Sequence, residues 1–369
     1  MGSGWGGRRD RGGGWARAIL RRLVLVAGGM LAALLVLELG VRVAGVAPPV
    51  RPTGEGDDTE PAKDPVLRFV NKPGGRRTLT YVRRPGGEVF TVTHGVNALG
   101  LRGPETTLAK PPGVRRIATL GDSFTFGYGV DDDETWPAAL QRALDGTGGA
   151  GDALRYEVLN CGVPAYDTEQ EVRLLATRIL EFQPDLVLVG WYLNDPAMRS
   201  GAAATAAEAP PAAVRWFAPN QAGALPTLRR WSQALDMFCD RLYRSAYLTY
   251  QPTAFARLYD DVHPGWRRAK DALLRAQGLC RQRGIGFAVV MYPDLTRQGA
   301  HLASHEAYLA VAEFCRANDI PCLDLEPAFE REDMPSLRVH ILDSHPNARA
   351  HTIAGDAVAE WLRVEGLLK

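Results

Sequence analysis

The chain has 369 residues, with 43 basic and 42 acidic side chains, so its formal net charge is only +1. A chain without a basic excess is poorly suited to wrap a polyanion, and we therefore expect no nucleic-acid partner. Hydrophobic residues make up 46% of the sequence and charged residues 23%, which is typical of a folded globular protein and excludes a disordered one.

The N-terminal end has the composition of a membrane anchor. Residues 1–22 contain six arginines and one aspartate, and an uncharged apolar run of fifteen residues, Leu23 to Leu37, follows them. Extending this run through residue 46 brings in only two charged side chains, Glu38 and Arg42. Their i,i+4 spacing places both on one helix face, where they can pair.

Basic residues hold their end of a membrane span in the cytoplasm. We therefore predict a cytoplasmic segment at 1–22 and a signal anchor at 23–46 that crosses a bacterial inner membrane once. The rest of the chain is then periplasmic. A cleaved secretory signal is the alternative interpretation, and twin-arginine export through Arg21 and Arg22 is a further one.

Two short regions separate the predicted anchor from the main domain. Residues 47–65 are rich in proline, glycine and acidic side chains, which predicts an extended linker. Residues 66–113 contain the alternating stretches TLTYVRR and EVFTVTH, which predict a small β-rich extension.

From residue 114 to residue 369, predicted strands and helices alternate. The strands are Arg116–Leu120, Tyr156–Leu159, Asp185–Tyr192, Gly286–Tyr292 and Pro321–Leu325, and the helices are Thr135–Leu144, Thr168–Phe182, Trp266–Gln282, Glu306–Asn318 and Asn347–Leu368. This pattern predicts an α/β fold with a mostly parallel sheet flanked by helices.

Residues 197–261 interrupt the alternation with an Ala/Pro-rich part and then a helical, aromatic part. We predict a helical insert here. Because it follows a strand end directly, we expect it to lie over the cleft. Either its aromatic side chains line an acyl or sugar site, or it only covers the sheet edge.

Two blocks far apart in the chain carry the residues of a nucleophilic site. Gly121-Asp122-Ser123 follows the first strand of the sheet, where a serine hydroxyl is exposed at the strand end or merely caps the next helix. Asp343-Ser344-His345 precedes the last helix, and a carboxylate so close to a histidine can orient the ring as a general base. His340 is a weaker candidate for the base.

Two further strand ends supply hydrogen-bond donors. Asn160-Cys161-Gly162 follows the second strand and Asn194-Asp195 follows the third. The backbone N–H of Gly162 and the side-chain amide of Asn194 are suited to receive an oxyanion. Because sites in open α/β sheets form at the carboxyl ends of strands, we expect all four blocks to converge.

The order of these blocks resembles the SGNH (GDSL-type) hydrolase superfamily, over roughly residues 114–367. The resemblance implies a flavodoxin-like three-layer sandwich and a serine ester hydrolase that uses no cofactor and no metal. It assigns Ser123 as the nucleophile, His345 as the base and Asp343 as the acid of the triad. The implied oxyanion hole consists of Ser123, Gly162 and Asn194.

Two positions depart from the family pattern. Tyr192 stands where the family usually has glycine before Asn194. Asp343 lies two residues before His345 rather than three, a spacing associated with a membrane-anchored branch that includes polysaccharide O-acetyl esterases and transferases. The direction of the Asp343 carboxylate is therefore open, and a backbone carbonyl is the alternative partner for His345.

These observations predict a serine esterase that cleaves O-acyl esters, above all O-acetyl esters, on envelope or exported glycans by a two-step mechanism. Its expected partners are an O-acylated glycan or other ester substrate and the inner membrane. Two alternatives stay open: an acyltransferase to polysaccharide hydroxyls that uses the same site, and a catalytically silent, anchored glycan-binding or assembly module.

Overall fold

The computed structural model describes residues 12–44, 52–82, 88–146, 155–197, 214, 217, 224–229, 231–296, 302–340 and 343–368. The chain divides into two compact units. The first comprises residues 1–48 and 212–245, and the second comprises residues 49–211 and 246–369. Each unit is described by itself.

The α-helices of the described residues are α1 (Gly12–Val43), α2 (Ser123–Phe126), α3 (Trp136–Asp145), α4 (Thr168–Thr177), α5 (Ala224–Arg229), α6 (Gln233–Leu258), α7 (Pro264–Arg281), α8 (Leu302–Ala317), α9 (Glu326–Phe329) and α10 (Ala348–Val364). The strands are β1 (Thr53–Pro61), β2 (Phe69–Val82), β3 (Val89–Gly95), β4 (Val114–Gly121), β5 (Arg155–Asn160), β6 (Leu186–Trp191), β7 (Gly286–Met291), β8 (Cys322–Asp324), β9 (Arg338–His340) and β10 (Asp343–Pro346). Short 3-10 helices span Asp132–Glu134, Ile179–Phe182 and Met334–Leu337.

In the first unit, α1 contains a 27-residue stretch, Arg17–Val43, that is long and apolar enough to cross a membrane. Near its end, the Glu38 carboxylate accepts hydrogen bonds from Arg42 (2.6 Å), the Ser232 hydroxyl (2.8 Å) and the backbone N–H groups of Gln233 and Ala234 (both 3.1 Å). The acidic side chain in this apolar helix therefore satisfies the unpaired donors at the start of α6.

In the second unit, five strands form a fully parallel sheet in the order β5-β4-β6-β7-β8. Side chains of β6 alternate between the two faces. Val187 and Val189 face the layer formed by α4, α7 and α8, whereas Leu186 and Leu188 face the layer formed by α3 and α10. The predicted α/β class, with its parallel sheet between two helical layers, is thus confirmed.

A separate antiparallel sheet precedes this core and has the order β1-β2-β3. Strands β2 and β3 pair from Arg76 opposite Gly95 to Val82 opposite Val89. Strand β1 lies within residues 47–65, where the composition predicted an extended linker. That prediction is wrong for β1, because its backbone pairs with β2 and its side chain Asp58 is buried against His94.

The insert at 197–261 is shared between the two units, and residues 198–213, 215–216, 218–223 and 230 lie outside the described residues. Its expected place over the cleft stays a prediction.

Candidate active site

Strand β4 delivers Ser123 to the carboxyl edge of the sheet through a tight turn. Gly121 has φ +150°, and a side chain there would place Cβ only 2.1 Å from Thr125 Oγ1 and 2.9 Å from the Gly190 carbonyl oxygen. After the turn, Asp122 Oδ1 accepts a hydrogen bond from the Phe124 N–H at 2.8 Å and caps α2. Ser123 is the first residue of α2, so its hydroxyl stands at the strand end.

The hairpin of β9 and β10 brings two further side chains to this hydroxyl. His345 Nε2 lies 2.8 Å from Ser123 Oγ, across 222 positions of the chain. His345 Nδ1 lies 2.5 Å from Asp343 Oδ1. With Nδ1 protonated toward the carboxylate, Nε2 is the acceptor that faces the serine proton, which is the arrangement of a nucleophile, a base and an orienting acid.

The Asp343 carboxylate is bonded at both oxygens. Besides the ring contact, Oδ1 accepts the backbone N–H of His345 at 3.1 Å, and Oδ2 accepts the Tyr81 hydroxyl at 3.0 Å. Burial acts to raise the pKa of Asp343, but the charge of His345 and the hydrogen bonds from His345 and Tyr81 outweigh it and hold that pKa below its ordinary value. Asp343 is therefore ionised at neutral pH.

Gly162 packs against α2, the short helix that begins at Ser123. A Cβ at this position would lie 2.3 Å from the backbone nitrogen of Phe126, so only glycine permits the approach. The Gly162 N–H donates to Asn160 Oδ1 at 3.1 Å, and its carbonyl accepts from Asn71 Nδ2 at 2.9 Å. An oxyanion would have to share the Gly162 N–H with Asn160, a competition that the sequence did not reveal.

Asn194 follows β6, the strand beside β4. Its Oδ1 is buried and has no hydrogen-bond partner among the described residues. The turn is closed by Asp195, whose N–H donates to the Tyr192 carbonyl at 3.0 Å and whose Oδ2 accepts the Tyr192 N–H at 3.2 Å. This turn positions Asn194 at the same edge of the sheet as Ser123.

Aromatic rings form one wall of the site. Tyr192, at the position where the family pattern has glycine, stacks on Phe124 with ring centroids 3.7 Å apart. The Phe124 ring lies 5.5 Å from the His345 ring, and the Tyr128 ring lies 4.9 Å from it. The departure at 192 thus places a large ring beside the nucleophile turn.

Two buried carboxyl groups lie behind the site. Burial, reinforced by the charges of Asp122 and Asp167, raises the pKa of Glu171 well above its ordinary value. Burial, reinforced by the charges of Glu171 and Asp122, likewise raises the pKa of Asp195. Neither carboxyl oxygen of Glu171 has a hydrogen-bond partner among the residues that the structure describes, which favours its neutral form.

His340, the weaker candidate for the base, contacts the antiparallel sheet. Its Nε2 lies 3.0 Å from the Val82 carbonyl oxygen. Sequence reasoning missed Tyr81, Asn71 and His94, three residues of the antiparallel sheet that contact the site. The alternation in residues 66–113 predicted strands there, but it carried no signal that they meet the triad.

A model of the GDSL-like lipase/acylhydrolase family matches residues 119–353. No curated protein sequence matches the chain.

Three solved structures are among those to which the chain is similar. A two-domain esterase active on acetylated mannans, crystallised with mannopentaose, is 13% identical with a TM-score of 0.41, over 68% of this chain and 49% of that one. An esterase, EstA, from Pseudoalteromonas sp. is 13% identical with a TM-score of 0.39, over 69% and 99%. A lipase/acylhydrolase from Enterococcus faecalis is 14% identical with a TM-score of 0.38, over 68% and 96%. The match covers about half the length of the two-domain esterase.

Proposed function

The chain belongs to the GDSL-like lipase/acylhydrolase family, and we propose that this ester hydrolase removes short O-acyl groups, in particular acetyl groups, from glycans outside the cytoplasm. The observation that carries the proposal is the continuous chain of hydrogen bonds from Ser123 through His345 to Asp343, with distances of 2.8 and 2.5 Å. At 2.8 Å the Ser123 hydroxyl can pass its proton to His345 Nε2, and at 2.5 Å the Asp343 carboxylate holds the opposite ring nitrogen.

In the first step, Ser123 Oγ attacks the ester carbonyl carbon while His345 Nε2 accepts the hydroxyl proton. The C=O π bond opens, and the carbonyl oxygen becomes the oxyanion of a tetrahedral intermediate. Asp343 stabilises the imidazolium that forms. When the intermediate collapses, the bond to the alcohol oxygen breaks, and the proton on His345 moves to that oxygen as the alcohol leaves.

The oxyanion is received by the N–H groups of Ser123 and Gly162 and by the Asn194 side-chain amide. The Asn194 amide oxygen is buried, and the role of a donor requires that its Nδ2 face the cleft. As negative charge develops on the substrate, the Gly162 N–H gains a stronger acceptor than the neutral Asn160 amide oxygen. In the second step, His345 Nε2 takes a proton from a water molecule, and the water oxygen attacks the acyl carbon. The bond between the acyl carbon and Ser123 Oγ then breaks, and the proton on His345 returns to Oγ as the carboxylic acid leaves.

The aromatic wall supports a short acyl group. Phe124 and Tyr192 are both buried and in van der Waals contact, and they fill the space next to the nucleophile turn. A wall of two rings leaves room for a short acyl chain and opposes a long one. The resemblance to anchored enzymes that act on polysaccharide O-acetyl groups supports a glycan as the alcohol part of the ester.

Helix α1 supports a location at a membrane. Its 27-residue apolar stretch follows the arginine-rich N-terminus, which favours a single span that places the second unit outside the cytoplasm. Cysteines introduced on either side of the span, and labelled with an impermeant thiol reagent in intact cells, would test this orientation.

The experiment that tests the activity is labelling with a fluorophosphonate, which reacts with an activated serine. We expect the full-length protein to be labelled, Ser123→Ala to be unlabelled, and Ser336→Ala to be labelled like the unsubstituted protein. Ser336 is a matched control because its hydroxyl donates only to the nearby Asp333 carbonyl. Absence of labelling in folded, unsubstituted protein would exclude the esterase and favour the silent module.

Acetyl release from 4-nitrophenyl acetate, measured with and without a polysaccharide acceptor, separates hydrolysis from transfer. A hydrolase releases free acetate in both cases. Acetyl groups that appear on the polysaccharide in place of acetate would instead identify a transferase.

A further inference from the structure

We propose that Tyr81, in the antiparallel sheet that precedes the main domain, is a positioning residue of the active site, whose hydroxyl holds the Asp343 carboxylate in the orientation that His345 requires. This inference rests on the proposed function. Tyr81 lies on β2, outside residues 119–353 of the family match, so the family pattern does not include it.

The geometry gives each oxygen of Asp343 a separate task. Oδ1 accepts both the ring Nδ1 and the backbone N–H of His345, at 2.5 and 3.1 Å. Oδ2 faces the other way and accepts the Tyr81 hydroxyl at 3.0 Å. A carboxylate bonded at both oxygens cannot rotate about its Cβ–Cγ bond without losing a charge-assisted hydrogen bond.

Tyr81 is itself rigidly held. Its side chain is 0% exposed and stacks on Phe90, with centroids 5.0 Å apart and ring planes at 7°. Gly129, with φ +91°, leaves room for the hydroxyl, because a Cβ there would lie 2.8 Å from that oxygen. Burial, reinforced by the charge of Asp343, raises the pKa of Tyr81, so the phenol keeps its proton and donates it at any working pH.

The same sheet holds two other segments of the site. Asn71 on β2 donates to the carbonyl of Gly162 at 2.9 Å. His94 on β3 accepts the Gly129 N–H at 3.1 Å through Nε2, while its Nδ1 bonds Asp58 at 3.2 Å. Contacts to the acid, to the glycine of the oxyanion hole and to the loop after the nucleophile all come from one sheet. This pattern is expected of a scaffold that positions the site.

The test is Tyr81→Phe in the full-length protein, which removes one oxygen atom and keeps the stacked ring. We expect kcat for 4-nitrophenyl acetate to fall about 10- to 100-fold, the worth of one hydrogen bond to a charged acceptor, with KM changed less than about twofold. Without the Tyr81 bond, Asp343 becomes a stronger acceptor for the imidazolium. The acidic limb of the kcat/KM profile, which reports deprotonation of the general base, therefore moves to higher pH.

Tyr156→Phe is the matched control. Its hydroxyl donates to the Leu368 carbonyl at 3.1 Å, away from the triad, so kcat and the pH profile stay those of the unsubstituted protein. A folded Tyr81→Phe variant with unchanged kcat and an unchanged acidic limb would overturn the inference. Absence of fluorophosphonate labelling at Ser123 in the unsubstituted protein would instead refute the proposed function. Failure of the inference and failure of the proposed function are therefore distinguishable.

Replacement of Tyr81 by 3-fluorotyrosine keeps the proposal testable should Tyr81→Phe fail to fold. The fluorinated phenol is a stronger donor, which weakens Asp343 as an acceptor for the imidazolium. The acidic limb then moves to lower pH, opposite to the Phe variant. No movement, or movement to higher pH, would contradict a positioning role for the hydroxyl.

Discussion

Asp343 Oδ1 lies 2.5 Å from His345 Nδ1, although only one residue separates the two in the chain. Both residues belong to β10, and side chains at i and i+2 of an extended strand point to the same face. At a spacing of two residues, the Asp343 carboxylate therefore reaches the His345 ring because the segment is a strand. The alternative of a backbone carbonyl as partner of His345 is not needed.

The first prediction concerns this contact. Asp343→Asn keeps the shape of the side chain but removes the charge that stabilises the imidazolium, and we expect kcat to fall by about 10³-fold or more. The matched control is Asp145→Asn on α3, whose Oδ1 accepts a hydrogen bond from the exposed Gln141 amide and which should keep full activity. A loss below tenfold for Asp343→Asn would assign the orientation of His345 to another group.

The second prediction concerns the oxyanion. Asn194→Ala removes one donor that acts chiefly on the tetrahedral intermediate, so kcat should fall about 10²- to 10³-fold while KM changes little. Asn318→Ala is the control, because the Asn318 amide donates to the Phe314 carbonyl at the end of α8. Steady-state kinetics of both variants decide the matter, and a change confined to KM would contradict the assigned role.

The third prediction concerns acyl length. Tyr192→Ala removes one ring of the stacked pair with Phe124, so the ratio of kcat/KM for 4-nitrophenyl hexanoate to that for the acetate should rise. A rise of about tenfold or more is expected, since the fit of even one methylene group in an apolar pocket is worth about 1–3 kcal/mol. The Tyr156→Phe control should leave the ratio unchanged. An unchanged ratio in Tyr192→Ala would mean that the acyl chain lies elsewhere.

The fourth prediction concerns pH and stability. The pKa of Glu171 is raised in the folded protein by burial and by the charges of Asp122 and Asp167, whereas the unfolded chain has the ordinary value of 4.5. The folded state thus keeps a proton that the unfolded state loses above that pH. The stability this proton provides is complete below pH 4.5 and is lost as the pH rises through the folded pKa, by at most about 1.4 kcal/mol per pH unit.

Glu171→Gln mimics the protonated group at every pH. Its urea midpoint should therefore decline less than that of the unsubstituted protein between pH 5 and pH 8, and at pH 8 it should be the more stable of the two. Glu360→Gln, an exposed position on α10, should follow the unsubstituted curve. Parallel curves for Glu171→Gln and the unsubstituted protein would show that Glu171 is ionised in both states.

The regular part of the fold could be predicted because its signals are local. The apolar run DLVLVGWY marks a strand buried on both faces, and β6 occupies Leu186–Trp191 within it. The order of the reactive blocks along the chain also pointed to one edge of the sheet. The hairpin of β9 and β10 had no such signal, because each strand has only three or four residues.

The contribution of the antiparallel sheet could not be predicted for a different reason. β1 is glycine- and acid-rich, and its strand state comes from pairing with β2, which is a tertiary interaction. Tyr81 meets Asp343 across 262 positions of the chain. No pattern in either segment by itself indicates the other.

Ser123, the proposed nucleophile, and His345, its proposed base, are separated by 222 positions of the chain. Ribosomes synthesise Ser123 long before His345, so the serine has no proton acceptor while the chain is still emerging. We therefore expect a nascent or truncated chain that ends before the β10 strand to be inert toward esters, because reactivity has to wait until the hairpin of β9 and β10 has closed.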